Sequence, residues 1–163
     1  MNPEFVGRFI NELRPAFAEG DSQAAAKDLE SENVLRIQEM YQAIQSADYA
    51  AFSNALADDV ELELIGPPGS PMAGHWHGRD DVMAGAARNY GRLEDQRPEL
   101  VALVAQGNQV SVIGREKGRI RATGREYEVP WVHLFTFRDG KVVRIYGFSD
   151  SHPLIQASVP HDG

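Results

Sequence analysis

The chain has 163 residues and a mass of 18.0 kDa, enough for one domain with a substantial core. No apolar run approaches the roughly 18–20 residues of a membrane span, and no basic-then-apolar leader opens the chain, so neither a membrane nor a secretory route is expected. A formal charge of −8 repels phosphate backbones and argues against a nucleic-acid partner; the lack of cysteine excludes disulfides and thiolate chemistry and fits the cytoplasm.

Residues 3–17 place Phe5, Phe9 and Leu13 at helical spacing, with Pro15 near the end, and predict a short amphipathic helix. Residues 29–46 predict a longer one, with Val34, Ile37, Tyr41 and Ile44 on one face. Asp48 is placed to cap a third helix carrying Phe52 and Leu56. The run from Val60 to Ile65 alternates apolar and acidic residues, as a half-buried strand does. A Pro/Gly loop over 66–74 leads to a short strand at His75-Trp76-His77. A fourth helix follows from Arg79, with Val82, Ala86, Tyr90 and Leu93 inward. Pro98 opens a run of strands over 99–106, 109–121, 125–137 and 141–149. The last two are joined at Asp139-Gly140, a strong hairpin signal because the turn needs positive φ. Helices, a strand, a helix and then four hairpin-connected strands make an α+β domain.

If the hairpin turns at Thr123-Gly124, Glu116 faces Trp131, Gly114 faces His133 and Val112 faces Phe135, all on one face of the sheet. The opposite face then carries Arg115, Lys117, Arg119 and Arg121 near Glu126 and Glu128, as a solvated face does. Further along it, Ile113, Val132 and Leu134 are apolar, and a subunit interface is a use for them. Glu116 in an apolar setting suits acid/base work, although an outward edge position is the plainer alternative. His133 is either a hydrogen-bonded core histidine or the working end of a pocket. Tyr41, Tyr90 and Trp131 serve equally as core and as pocket wall. His75 and His77 with His133 would supply three nitrogens, but His-x-His alone is common; no metal and no other cofactor is expected. No G-x-S-x-G and no phosphate-binding glycine loop is present.

The segments ALADDVELEL, GHWHGRDDVMAG and WVHLFTFRDGKVV resemble the SnoaL-like, ketosteroid-isomerase-related branch of the nuclear-transport-factor-2-like superfamily. The resemblance implies a cone: a strongly curved antiparallel sheet wrapped around N-terminal helices, the cystatin-like α+β barrel, with an apolar pocket and often a homodimer. It divides the chain into an extra helix and linker over 1–28, a SnoaL-like domain over 29–154 and a tail over 155–163. It places Leu64 where ketosteroid isomerase carries its carboxylate base, and Gly147 where SnoaL-type cyclases carry theirs. His133 falls at polar pocket positions of both. With Glu116 taken from the sheet register above, the candidate catalytic set is His133, Glu116, Asp150 and Tyr41, with Asp150 entering if its strand bulges. The implied ligand contacts are Trp131, Leu64, Tyr90, Trp76, His77 and Gly147. The expected partner is a small hydrophobic carbonyl compound, handled by isomerase, cyclase or lyase chemistry, or held without catalysis by a binding or dimerisation domain.

Overall fold

The computed structural model describes residues 23–160; the predicted helix at 3–17 lies outside them. Helix α1 spans Gln23–Gln45, α2 Tyr49–Ala55, β1 Leu56–Ile65, β2 Gly74–His77, α3 Arg79–Tyr90, β3 Leu93–Gln106, β4 Gln109–Ile120, β5 Glu126–Arg138, β6 Lys141–Ser149 and α4 His152–Ser158. Asp48 caps α2 as expected, its carboxylate accepting from the Ala51 N–H at 3.0 Å. Helix α1 begins six residues before position 29, and α4 crosses the expected boundary at 154 and buries Leu154 and Ala157. No described helix is long and apolar enough to cross a membrane.

The strands form one sheet in the order β2-β1-β6-β5-β4-β3. This is the expected α+β cone architecture, but the sheet is open rather than closed into a barrel, with β2 and β3 at its edges. Nor is it wholly antiparallel, because β1 runs parallel to β6, with Leu62 beside Ile145 and Leu64 beside Gly147. Parallel neighbours need a long crossover, and everything from β2 to β5 supplies it. Strand β3 begins at Leu93, not after Pro98. Proline is tolerated there because an edge strand leaves one row of backbone groups unpaired.

The β5–β6 turn is the two-residue type expected: Arg138 pairs with Lys141, and Asp139 and Gly140 take φ of 52° and 73°. The β4–β5 register differs from expectation by two residues. Gly114 pairs with Trp131, Val112 with His133 and Glu116 with Val129. The cause is a wider turn: the Ile120 N–H donates to the Arg125 carbonyl and the Gly124 N–H to the Ile120 carbonyl, so all of 121–124 lies in the loop. A two-residue shift keeps every side chain on its face, so the division into inner and outer rows stands.

The inner face holds two apolar clusters. Ile37 and Met40 of α1 pack with Val60, Leu62, Trp76, Val112, Trp131, Phe135 and Ile145. Leu154 and Ala157 of α4 pack with Leu93, Ile120, Tyr127 and Val129. On α3 the buried positions are Val82, Gly85 and Asn89 rather than Ala86 and Tyr90, because the Trp76 indole takes the space over Gly85. The outer face carries mixed charge as expected, here as the ion pairs Lys117–Glu128 at 3.1 Å and Arg115–Glu99 at 2.9 Å. It also carries an apolar row in which Ile113, Val132, Phe148 and Ile65 are successive cross-strand partners.

Candidate functional site

Two polar centres lie on the inner face, one on each side of Trp131. The first is His133 on β5. Its ring stacks on Trp131 with centroids 4.7 Å apart and meets Phe135 edge-on at 6.2 Å. Tyr41 of α1 stacks on the other side of the group, 6.0 Å from Trp131, and its hydroxyl lies 3.4 Å from His133 Nδ1. Two glycines make this stack possible. A methyl at Gly114 would overlap the Trp131 indole, and one at Gly147 would overlap the His133 ring. The glycine that makes room for His133 is thus Gly147 on β6, its direct partner, and not Gly114.

Burial pushes the His133 imidazole down from 6.5 to about 4, so it is neutral at physiological pH. Burial, aided by Tyr90 and Glu116, holds the Tyr41 hydroxyl far above its ordinary value, so it keeps its proton. The Tyr41 hydroxyl and His133 Nδ1 share one hydrogen bond, which either group can donate; in the tautomer where Nδ1 accepts from Tyr41, Nε2 carries the hydrogen.

The second centre is Glu116 on β4, between the two apolar clusters. The Tyr127 hydroxyl donates to Glu116 Oε1 at 2.5 Å, and the Gln96 amide lies 3.4 Å from both carboxylate oxygens. Gln96 reaches inward because the β3–β4 register shifts between Glu94 and Arg97, where Asp95 takes φ of 53°. Gly118 leaves the space that the Tyr127 hydroxyl fills. Tyr127 is held well above its ordinary range by burial and then by its bond to Glu116. Tyr90, at the end of α3, has 41% of its surface accessible. Crowding by the concave wall nevertheless pushes its hydroxyl up to about 12, and the Glu116 charge adds to this. Glu116 is therefore part-buried on the inner face, and it sits with Tyr127 and Gln96 rather than against His133.

The remaining expected site residues divide. Leu64 and Gly147 lie together beneath the His133 ring. Asp150 does not join them. Its side chain is exposed and accepts from the His152 N–H at 3.2 Å, at the start of α4. Strand β6 pairs without a shift from Ile145 to Ser149, so no bulge turns Asp150 inward. Trp76 is a buried core residue filling space against Gly74 and Gly85. His77 points outward, 3.6 Å from Glu61, because strand alternation puts both histidines opposite Trp76. No metal-holding group of three His, Cys, Asp or Glu occurs among the described residues. Tyr127 and Gln96 escaped the sequence reading. Tyr127 lies on the inward parity of β5, a signal that was present; Gln96 is turned in by a bulge that no residue type announces. A separate cleft of about 600 Å³, lined largely by charged side chains such as Arg97, Lys117 and Arg125, reaches the second apolar cluster at Tyr127 and Ala157.

A curved six-stranded sheet with helices on its inner face and polar groups among the packed aromatics is the NTF2-like architecture. The chain belongs to the SnoaL-like domain family, whose model matches residues 37–145. Solved structures agree. An NTF2-like protein from Burkholderia thailandensis is 27% identical, with a TM-score of 0.71 over 78% of this chain and 98% of its own. A putative SnoaL-like polyketide cyclase from Jannaschia is 17% identical, with a TM-score of 0.71 over 88% of this chain and 100% of its own. A ketosteroid-isomerase-like protein from Catenulispora acidiphila, in complex with trimethylamine, is 18% identical, with a TM-score of 0.63 over 78% of this chain and 95% of its own. No curated protein matches the chain.

Proposed function

We propose that the chain is a small-molecule pocket protein that receives the carbonyl group of a hydrophobic compound at His133. The observation that carries this reading is the Tyr41 hydroxyl 3.4 Å from His133 Nδ1, within an aromatic stack. That arrangement orients a neutral imidazole whose Nε2–H can polarise a carbonyl without delivering a full charge. Polarisation acidifies the carbon next to the carbonyl, the first requirement of isomerase, cyclase and lyase chemistry. The trimethylamine complex of the Catenulispora acidiphila protein supports small-molecule occupancy in this fold.

A second reading is a ligand-binding domain without catalysis. It is favoured by Leu64 and Gly147, which stand where related enzymes carry carboxylate bases, and by Asp150, which turns away. On either reading the apolar row of Ile113, Val132, Phe148 and Ile65 is the surface we assign to a homodimer.

The test is proton exchange at the carbon next to the carbonyl, followed by NMR in deuterated buffer with a panel of enolisable aryl and cyclic ketones. Wild-type protein accelerates exchange of at least one member, and His133→Ala loses about 10²–10⁴ of that acceleration. Equal rates for the two proteins would overturn the His133 assignment. Saturable binding without any exchange would establish the non-catalytic reading.

A further inference from the structure

Glu116 is an inward carboxylate with no cation bonded to it among the described residues. Its described partners, Tyr127 and Gln96, are both uncharged. The cations of β4 are turned to the other face: Arg115 pairs with Glu99, Lys117 with Glu128 and Arg119 with Asp95. His133 cannot substitute, since it is neutral and lies beyond Trp131. The carboxylate also keeps acceptor capacity. Tyr127 occupies one site on Oε1, and Oε2 has no partner closer than the 3.4 Å amide of Gln96.

Aromatic side chains lie along the same part of the inner face. The Tyr127 hydroxyl bonds to the carboxylate. The Trp131 indole lies over Gly114, the next inward residue along β4, and Tyr41 stacks on Trp131. The charge of Glu116 is felt at the Tyr41 and Tyr90 hydroxyls. A carboxylate with uncharged described partners and aromatic side chains near it attracts an organic cation. Coulomb attraction strengthens where water is sparse, and ring quadrupoles favour a positive charge over their faces. A metal ion would want further hard oxygen ligands, whereas a methylated or alkyl ammonium matches apolar walls and one negative charge.

We infer that the Glu116 end of the interior binds a small organic ammonium group, with Glu116 as counter-ion and Tyr41, Tyr90, Tyr127 and Trp131 as the surrounding aromatic wall. The inference rests on the small-molecule reading of the interior, and it extends it: a ligand reaching from His133 to Glu116 is an amine-bearing carbonyl compound. The two claims fail separately, because the probe below carries no carbonyl.

The experiment is an NMR titration of the full chain with tetramethylammonium chloride. Tert-butyl alcohol serves as the neutral probe of similar shape, and sodium chloride matches the ionic strength. Tetramethylammonium is expected to give saturable shifts centred on Gln96, Glu116 and Tyr127, with a dissociation constant between about 0.1 and 10 mM, as suits five heavy atoms. Tert-butyl alcohol gives none. Glu116→Gln weakens binding at least about tenfold. Should that variant not fold, Tyr90→Leu on the accessible end of α3 weakens binding about threefold. Equal binding by tert-butyl alcohol, unchanged binding in the folded Glu116→Gln protein, unchanged binding in Tyr90→Leu, or no saturable shift at 50 mM would each overturn the inference.

Discussion

Gly147→Ala adds one methyl group at the tightest point of the site. Gly147 is the direct partner of His133 on one side and of Leu64 on the other. An ideal Cβ there would overlap the His133 ring and lie 2.9 Å from a Leu64 methyl carbon. Both neighbours are held by packing, His133 stacked on Trp131 and edge-on to Phe135, and Leu64 against the main core. Adding a methyl to a filled core site costs about 1–3 kcal/mol, and for a chain of this length about 2 kcal/mol lowers the melting temperature by roughly 4–8 °C. The cause is isolated by a double-mutant cycle with His133→Ala, measured by urea unfolding. If the clash is with the imidazole, Gly147→Ala in the His133→Ala background costs at least about 1 kcal/mol less than in the wild type. A coupling indistinguishable from zero, or a neutral Gly147→Ala, would refute the packing described for His133.

His133 also gives the protein a defined pH dependence. Its folded value is lowered to about 4 from an ordinary 6.5, so the unfolded chain binds the extra proton between these values. Its contribution is therefore complete above about pH 6.5 and is lost as pH falls toward 4, by roughly 3 kcal/mol at most. Urea unfolding at pH 7.5 and pH 5 should show the loss, and His133→Gln should remove most of the difference. Tyr127→Phe removes the 2.5 Å donor to Glu116 and should cost about 1.5–3 kcal/mol by thermal or urea unfolding, while leaving the far-ultraviolet circular dichroism unchanged. Val132→Glu places a charge at the centre of the outer apolar row and should convert a dimer to monomer in sedimentation velocity; a wild-type monomer at 100 μM would sink the dimer assignment.

Faces were legible in the sequence; partners were less so. Strand alternation on β5 puts Tyr127, Val129, Trp131, His133 and Phe135 on one side whatever the register, so the inner wall could be named without knowing which residue faced which. The Asp139-Gly140 turn carries its conformation in its residue types and was read correctly. The Thr123-Gly124 region does not, because a glycine at φ of 69° serves a wide loop as well as a tight turn. The β1–β6 pairing joins residues far apart in sequence, and no local pattern selects that partner. At the site, helical spacing put Tyr41 on the inward face of its helix, and the family resemblance gave it a hydrogen-bonding role; its meeting with His133 is seen only in the structure. The separation of Glu116 from His133 depended on the β4–β5 register, so the sequence reading placed the two closer than they are.

The parallel seam between β1 and β6 has a consequence for how the chain reaches this structure. Leu62 and Ile145, neighbours in the sheet, are about 80 positions apart in the chain. During synthesis β1 emerges with only the short β2 to pair with, and its other edge waits until β6 has been made. Contacts of this span are slow to form because loop closure precedes any gain from pairing. The interim species presents the unpaired edge of β1, with Val60, Leu62 and Leu64 along one side. That edge is where a chaperone, or a second unfinished chain, would find the nascent protein.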